Sequence, residues 1–238
     1  MKKIIIASTS TIHGSGYLEY ILPTLANFYD NSVEEVVFIP YARPSGISYE
    51  AYTAKAEEAF NVLDIQLKGI HEFEDPKKAI ENAQGLFVGG GNTFELVHQL
   101  YKHDILQTLK NVIEKGTPYL GTSAGSNICG ISMKNTNDMP IVYPPSFDTM
   151  ALIPFNINAH YLDPNPDSTH MGETRETRIK EFHIYNETPV LGIREGGWLE
   201  VNGDKIILKG KPSARLFRRN KPALEIDKET IIDLNMLR

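Results

Sequence analysis

The sequence has little that would tie it to an oxidising compartment, a membrane or a polyanion. Its 238 residues include a single cysteine, Cys129, so no internal disulfide can form and no cysteine-rich zinc site can be assembled. That suits a reducing cytoplasm, the expected location. No stretch approaches the ~18 consecutive apolar residues of a membrane span. Met1-Lys2-Lys3 followed by Ile4-Ile5-Ile6-Ala7 imitates a secretory start, but the apolar run stops at Ser8, short of the roughly 7 to 15 residues a signal requires. Lys and Arg are outnumbered by Asp and Glu, 24 to 30, and form no block, which argues against nucleic acid or an anionic membrane surface as a partner. No H-E-x-x-H or comparable ligand spacing occurs, so neither a metal nor another cofactor is expected. Repeats, polar low-complexity tracts and Gly/Pro/Ser-rich linkers are missing too, which leaves one domain over residues 1–238.

What is present is a chain with 41% hydrophobic residues, enough to bury a full core. Short apolar runs at Ile4 to Ala7, Val36 to Ile39, Leu86 to Val88 and Tyr119 to Leu120 read as buried strands. Between them, Tyr17 to Tyr29, Ser48 to Phe60, Pro76 to Ala83 and Asp104 to Glu114 carry apolar residues at helical spacing. Such alternation predicts an α/β fold: a mostly parallel sheet with helices on both faces and ligands at the carboxyl ends of its strands. After Glu195 the pattern changes. Trp198 to Val201 and Lys205 to Leu208 read as a hairpin turning at Asn202-Gly203, and Ala214 to Phe217 as a further strand, which makes a β-rich C-terminal tail.

The chemistry is concentrated in Gly121-Thr122-Ser123-Ala124-Gly125. A strand ending near Thr122 and a helix opening at Ala124 place Ser123 on a sharp turn, and the flanking glycines remove Cβ atoms where strand and helix approach, the pattern of a nucleophile elbow. The helix start adds backbone N–H groups and a positive dipole end. A second cluster, Gly89-Gly90-Gly91-Asn92, follows a strand and precedes a helix beginning near Thr93. It lacks the G-x-G-x-x-G spacing and the P-loop lysine, so its free N–H groups at Gly90 and Gly91, with that of Ala124, are candidates for an oxyanion hole.

A serine nucleophile needs a base, and histidine titrates in the right range. Of seven histidines, His13, His71, His98 and His103 precede the elbow, and His170 and His183 lie near or inside a polar helix that starts about Glu173. His160 differs: it closes Asn158-Ala159-His160 after the apolar run Leu152 to Ile157, and is expected to top a strand at the same sheet edge as the elbow. A carboxylate must then orient the imidazole. Glu195 ends the run Val190 to Arg194 before Gly196-Gly197 and is the best placed, with Asp163 and Asp138 as competitors.

Taken together, these blocks resemble the peptidase E family of α-aspartyl dipeptidases. The resemblance runs through nearly the whole chain. It is carried by Val88 to Phe94, the elbow with Ser126-Asn127, Thr136 to Val142, Asn158-Ala159-His160, Gly172 to Glu176 and Glu195 to Trp198. It implies a fold similar to class I glutamine amidotransferases, a Ser123–His160–Glu195 triad, and short peptides with N-terminal aspartate as substrates. It also implies a substrate-recognising Arg175, with Asn92 and Asp138 on the substrate side of the site. Arg43 is a second candidate cation at the same sheet edge. The expected partner is a small peptide, and the chain itself is a monomer or a homodimer.

Four positions depart from the family pattern: Thr122 and Ser126 in the elbow, Ala159 before the histidine, and Arg194 before the glutamate. They are expected to retune the pocket's polarity without removing a catalytic group. The alternatives are a cyanophycinase-like hydrolase of other aspartyl compounds, a plain esterase, or a non-catalytic sensor on the same fold. Such sensors usually carry cysteine at the elbow, whereas Cys129 lies six residues beyond it.

Overall fold

Runs such as Ile4-Ile5-Ile6 and Val36-Val37-Phe38 offer water no polar face, and in the computed structural model they lie at the centre of a sheet covered on both sides. The structure describes residues 1–238 except Asn31, Pro166, Ser168, His170 and Met171. In chain order the elements are β1 (Lys3–Ala7), α1 (Leu22–Tyr29), β2 (Glu35–Ile39), α2 (Tyr49–Asn61), β3 (Gln66–Gly69), α3 (Pro76–Glu81), β4 (Gly85–Val88), α4 (Thr93–Lys102), α5 (Leu106–Lys115), β5 (Tyr119–Thr122) and α6 (Ala124–Asn127). There follow β6 (Asn156–Asn158), α7 (Arg175–Tyr185), β7 (Val190–Ile193), β8 (Gly197–Asn202), β9 (Lys205–Gly210), β10 (Ala214–Phe217), β11 (Leu224–Ile226) and α8 (Leu234–Leu237).

A seven-stranded sheet has the order β3-β2-β4-β5-β1-β8-β9, its first five strands parallel and the β8–β9 hairpin added antiparallel beside β1. Side chains alternate along each strand. Ile4 and Ile6 therefore join the core under α4 and α5, while Ile5 and Ala7 join the one under α1 and α2. The expected mostly parallel sheet with helices on both faces is thus the architecture found. A second sheet of four strands, β11-β10-β7-β6, stands beside it, with β6 and β7 parallel. No helix among the described residues is long and apolar enough to cross a membrane.

Three readings need correction. The helix expected over Tyr17 to Tyr29 is a 3₁₀ turn at Glu19–Ile21 followed by a helix only from Leu22. Pro23 has no N–H and fits only a first turn, which fixes the new start. In the hairpin Asn202 pairs with Lys205, so the turn is Gly203-Asp204, with Gly203 taking the positive φ of 61°. The run before His160 is not one strand leading to the elbow's sheet edge. Only Asn156–Asn158 is extended, and it belongs to the second sheet. The preceding N–H groups of Leu152 and Ile153 bond instead to the carbonyl of Cys129, and Pro154 has none to give.

Candidate active site

Ser123 joins β5 to α6 with φ 53° and ψ −109°, a conformation that costs a non-glycine residue about 1–3 kcal/mol. Several bonds hold it there. Its N–H donates to the Ala7 carbonyl at 3.1 Å, and its own carbonyl accepts from Ser126 and Asn127. Ser126 Oγ lies 2.6 Å from the Ala7 carbonyl and 2.8 Å from that of Gly121, so this departure from the family pattern ties the elbow to β1 and β5 instead of altering a pocket. Thr122 likewise is fully buried. A Cβ on Gly125 would collide with the Val88 carbonyl, which is why glycine stands there.

His160 Nε2 lies 2.9 Å from Ser123 Oγ and His160 Nδ1 lies 2.7 Å from Glu195 Oε1. A carboxylate only accepts, so Nδ1 carries the proton and Nε2 is left to accept from the serine. His160 follows β6 and Glu195 follows β7. These neighbouring parallel strands deliver both residues at one end of the second sheet, facing the elbow of the first. His160 is itself left-handed, φ 53°. Its N–H donates to Ser8 Oγ at 2.9 Å, and Ser8 Oγ donates to the Ile193 carbonyl at 2.7 Å. Ser8, fully buried just after β1, therefore links the first sheet to both strand ends of the second. Ala159 gives its N–H to Asn127 Oδ1 at 3.3 Å, a bond that proline there would forfeit.

The glycine loop needs a revision. Gly90 N–H already donates to the buried Tyr52 hydroxyl at 2.9 Å, and that hydroxyl returns a bond to the Gly90 carbonyl at 3.2 Å. Gly90 instead supplies space, since a Cβ on it would come 2.9 Å from Ser123 Cβ. The N–H groups of Gly91 and Ala124 have no hydrogen-bond partner among the described residues. Gly91, at φ 150°, also passes so close to the Ala42 carbonyl that a side chain is excluded. Helix α6 has only four residues, so its contribution is the free N–H rather than a substantial dipole.

A cavity of about 410 Å³ opens above this centre, lined by Ala42, Arg43, Pro44, Ser45, Gly91, Asn92, Ser123, Asp138 and His160. Asn92 caps α4 through Oδ1 and donates Nδ2 to the Met139 carbonyl, so it is a fixed wall. Asp138 Oδ2 accepts from Thr93 N, Thr93 Oγ1 and Thr136 Oγ1, leaving Oδ1 without a partner among the described residues. Arg175 is not in the lining. It opens α7, half-buried and with no ion pair among the described residues. Burial and neighbouring Arg178 push its pKa down while Asp138 opposes them. The helix pair at i,i+4 is Glu176–Lys180, not one of Arg175. A larger cleft, about 580 Å³, lies by Lys2, Leu152, Ile206 and α8 and includes none of these residues.

The other candidates fall away. His71 faces Glu50, His103 stacks on Tyr41 and His183 bonds the Thr188 carbonyl; His170 lies outside the described residues. Cys129 is buried and its thiol is pushed up by that burial, so it offers no nucleophile. Asp163 is held by Arg194, as described below, rather than by His160.

The family model "Peptidase family S51" matches residues 4–209. A Streptomyces coelicolor protein named "Peptidase E" is 46% identical over 223 residues, 94% of this chain and 90% of that one. A Drosophila melanogaster protein named "Probable alpha-aspartyl dipeptidase" is 43% identical over 219 residues, 91% of this chain and 90% of its own. The fold matches the crystal structure of a peptidase from an acI-B1 actinobacterium at a TM-score of 0.71, with 15% identity, covering 98% of this chain and 97% of that one.

Arg194, expected to alter the pocket, is fully engaged elsewhere. Its Nε and Nη2 grip Asp163 at 2.7 Å each, and Nη1 and Nη2 grip Glu225 at 3.0 Å each. Nη1 also donates to Ser213, and Arg215 adds contacts to Asp163, Glu225 and Glu176. Asp163 lies in the loop after His160, Arg194 precedes Glu195 and Glu176 follows Arg175, so this cluster clamps together the chain around all three. Hydrogen bonds from Arg194 hold the Asp163 and Glu225 carboxyls below their usual range. Their contribution is present above the ordinary carboxylate pKa and lost as pH falls through the depressed values. Arg194→Met is therefore expected to lower unfolding free energy near neutral pH by roughly 1–3 kcal/mol, with the gap narrowing in acid. Denaturant titrations across pH check this; a gap independent of pH would exclude the ion pairs as its source.

Proposed function

The chain belongs to peptidase family S51, and from that premise we propose that it is a serine-type dipeptidase releasing N-terminal aspartate through Ser123, His160 and Glu195. The observation that carries the reading is the unbroken contact path from Glu195 Oε1 through His160 to Ser123 Oγ, 2.7 and 2.9 Å. Within it, Glu195 holds the Nδ1 proton and Nε2 takes the serine proton as Oγ bonds to the aspartyl carbonyl carbon. The carbonyl oxygen becomes an oxyanion facing the N–H groups of Gly91 and Ala124. The imidazolium then gives its Nε2 proton to the departing amine as the C–N bond breaks, leaving an aspartyl ester on Ser123. Water, deprotonated by His160, completes hydrolysis.

Specificity for a free N-terminal aspartate requires one anion and one cation near the nucleophile. Asp138 Oδ1, without a partner among the described residues, suits the α-ammonium, and Arg175, free of ion pairs among the described residues and with Asp138 among the charges that act on it, suits the side-chain carboxylate. Arginine grips such a group with two parallel hydrogen bonds.

Two variants test the reading. Ser123→Ala should cut kcat on Asp-Leu by several powers of ten, on the order of a million-fold. A variant keeping most of its turnover excludes Ser123 as nucleophile. Arg175→Ala should erase most of the preference for Asp-Leu over Ala-Leu, roughly 10- to 100-fold in kcat/KM; an equal loss on both would remove Arg175 as the anchor. Turnover of β-linked aspartyl peptides or simple esters in preference to Asp-Leu would instead favour the cyanophycinase-like or esterase alternative.

A further inference from the structure

Beside the catalytic cavity lies a second one, about 380 Å³, whose walls include Ser10, Tyr17, Arg43, Ser45, Tyr52 and Lys55. Its lining holds two cations, several hydroxyls and no carboxylate. Neither Arg43 nor Lys55 has an ion-pair partner among the described residues. Each lies over an aromatic ring: the Arg43 guanidinium is 5.2 Å from the Tyr52 centroid and Lys55 Nζ is 5.4 Å from that of Tyr17. Ring contacts of this kind restrict a cation's position without neutralising it. Two cations without ion-pair partners among the described residues, lining one hydroxyl-walled hollow, describe an anion site.

We propose that this cavity seats the C-terminal carboxylate of the peptide substrate, held by Arg43 and Lys55, so that the enzyme measures peptide length from the scissile bond. The inference rests on the dipeptidase reading above and adds its leaving-group side. Arg43 and Ser45 belong to both cavities, whereas Asp138 and Asn92 line only the first. With its ammonium at Asp138 and its carbonyl at Ser123, both in the first cavity, a peptide is left the wall of Arg43 and Ser45 for its C-terminus. In a dipeptide that carboxylate is only one residue, about 3.8 Å of chain, beyond the scissile bond, so its site must adjoin the nucleophile's cavity, as this one does. In longer peptides an uncharged amide stands there instead.

The second cavity also reaches the catalytic loop. Tyr52, part of its wall, holds Gly90 through both N–H and carbonyl, and its hydroxyl lies 3.4 Å from that of Tyr17. Binding energy gained by the carboxylate is therefore delivered next to the Gly91 donor, and its loss appears in kcat as well as in KM.

The test compares Asp-Leu with Asp-Leu amide, which differ only in the terminal charge, on the unaltered protein and on Arg43→Met, Arg43→Lys and Lys55→Met. The unaltered protein is expected to favour the acid roughly 10- to 100-fold in kcat/KM. Arg43→Met and Lys55→Met should each shrink that ratio, and Arg43→Lys should restore part of it. Equal turnover of acid and amide by the unaltered protein, or the same ratio in Arg43→Met, would overturn the proposal. Turnover of neither peptide would instead bring down the dipeptidase reading, and this site with it.

Discussion

A serine and a histidine, neither with glycine's freedom, are both held at φ 53°, and the architecture around them is arranged to keep them so. Each such turn costs about 1–3 kcal/mol and persists only because its surroundings leave no alternative. At Ser123 the restraint comes from the Ala7 carbonyl below, the Ser126 hydroxyl behind and the glycine at 125 pressed against β4. At His160 it comes from the Ser8 hydroxyl and the Asn127 side chain that fixes the preceding residue. Ala7 and Ser8 are consecutive, so the end of one central strand anchors both turns at once. The approach of Oγ to Nε2 is thus a property of how two sheets meet rather than of a single loop.

That division of labour explains the placement of the clamp around Arg194. The elbow is rooted in the first sheet, but His160 and Glu195 ride on a second sheet with only four strands among the described residues, of which β6 has three residues. So small a sheet offers few ladder hydrogen bonds to hold two side chains in register. Bidentate arginine–carboxylate pairs supply directional restraint in their place. Tyr161, whose phenol burial raises to a pKa of about 12, packs under Arg194 at 5.5 Å and closes the same corner.

Much of this was legible in the sequence wherever the signal is local. The runs at Ile4, Val36, Leu86 and Tyr119 became adjoining parallel strands, and the glycines around Ser123 marked a turn that only they permit. Edge strand β3 escaped notice because Gln66-Leu67-Lys68-Gly69 has a single large apolar residue and reads as loop. The second sheet escaped because β6 finds its partner β7 more than thirty positions later, beyond the reach of any periodicity. The work of Ser8 and Tyr52 was hidden for a related reason: a hydroxyl's function lies in what it faces. Arg194 was misread because its two carboxylates, Asp163 and Glu225, each stand 31 residues away.

The central claim is that Ser123 is activated by His160 through geometry already built into the resting protein. Reaction with a fluorophosphonate probe, followed by peptide mass mapping, tests it without assuming any substrate. The account predicts a single covalent adduct on Ser123 that forms far more slowly in His160→Ala. No adduct, or one on another residue with Ser123 unmodified, would contradict it.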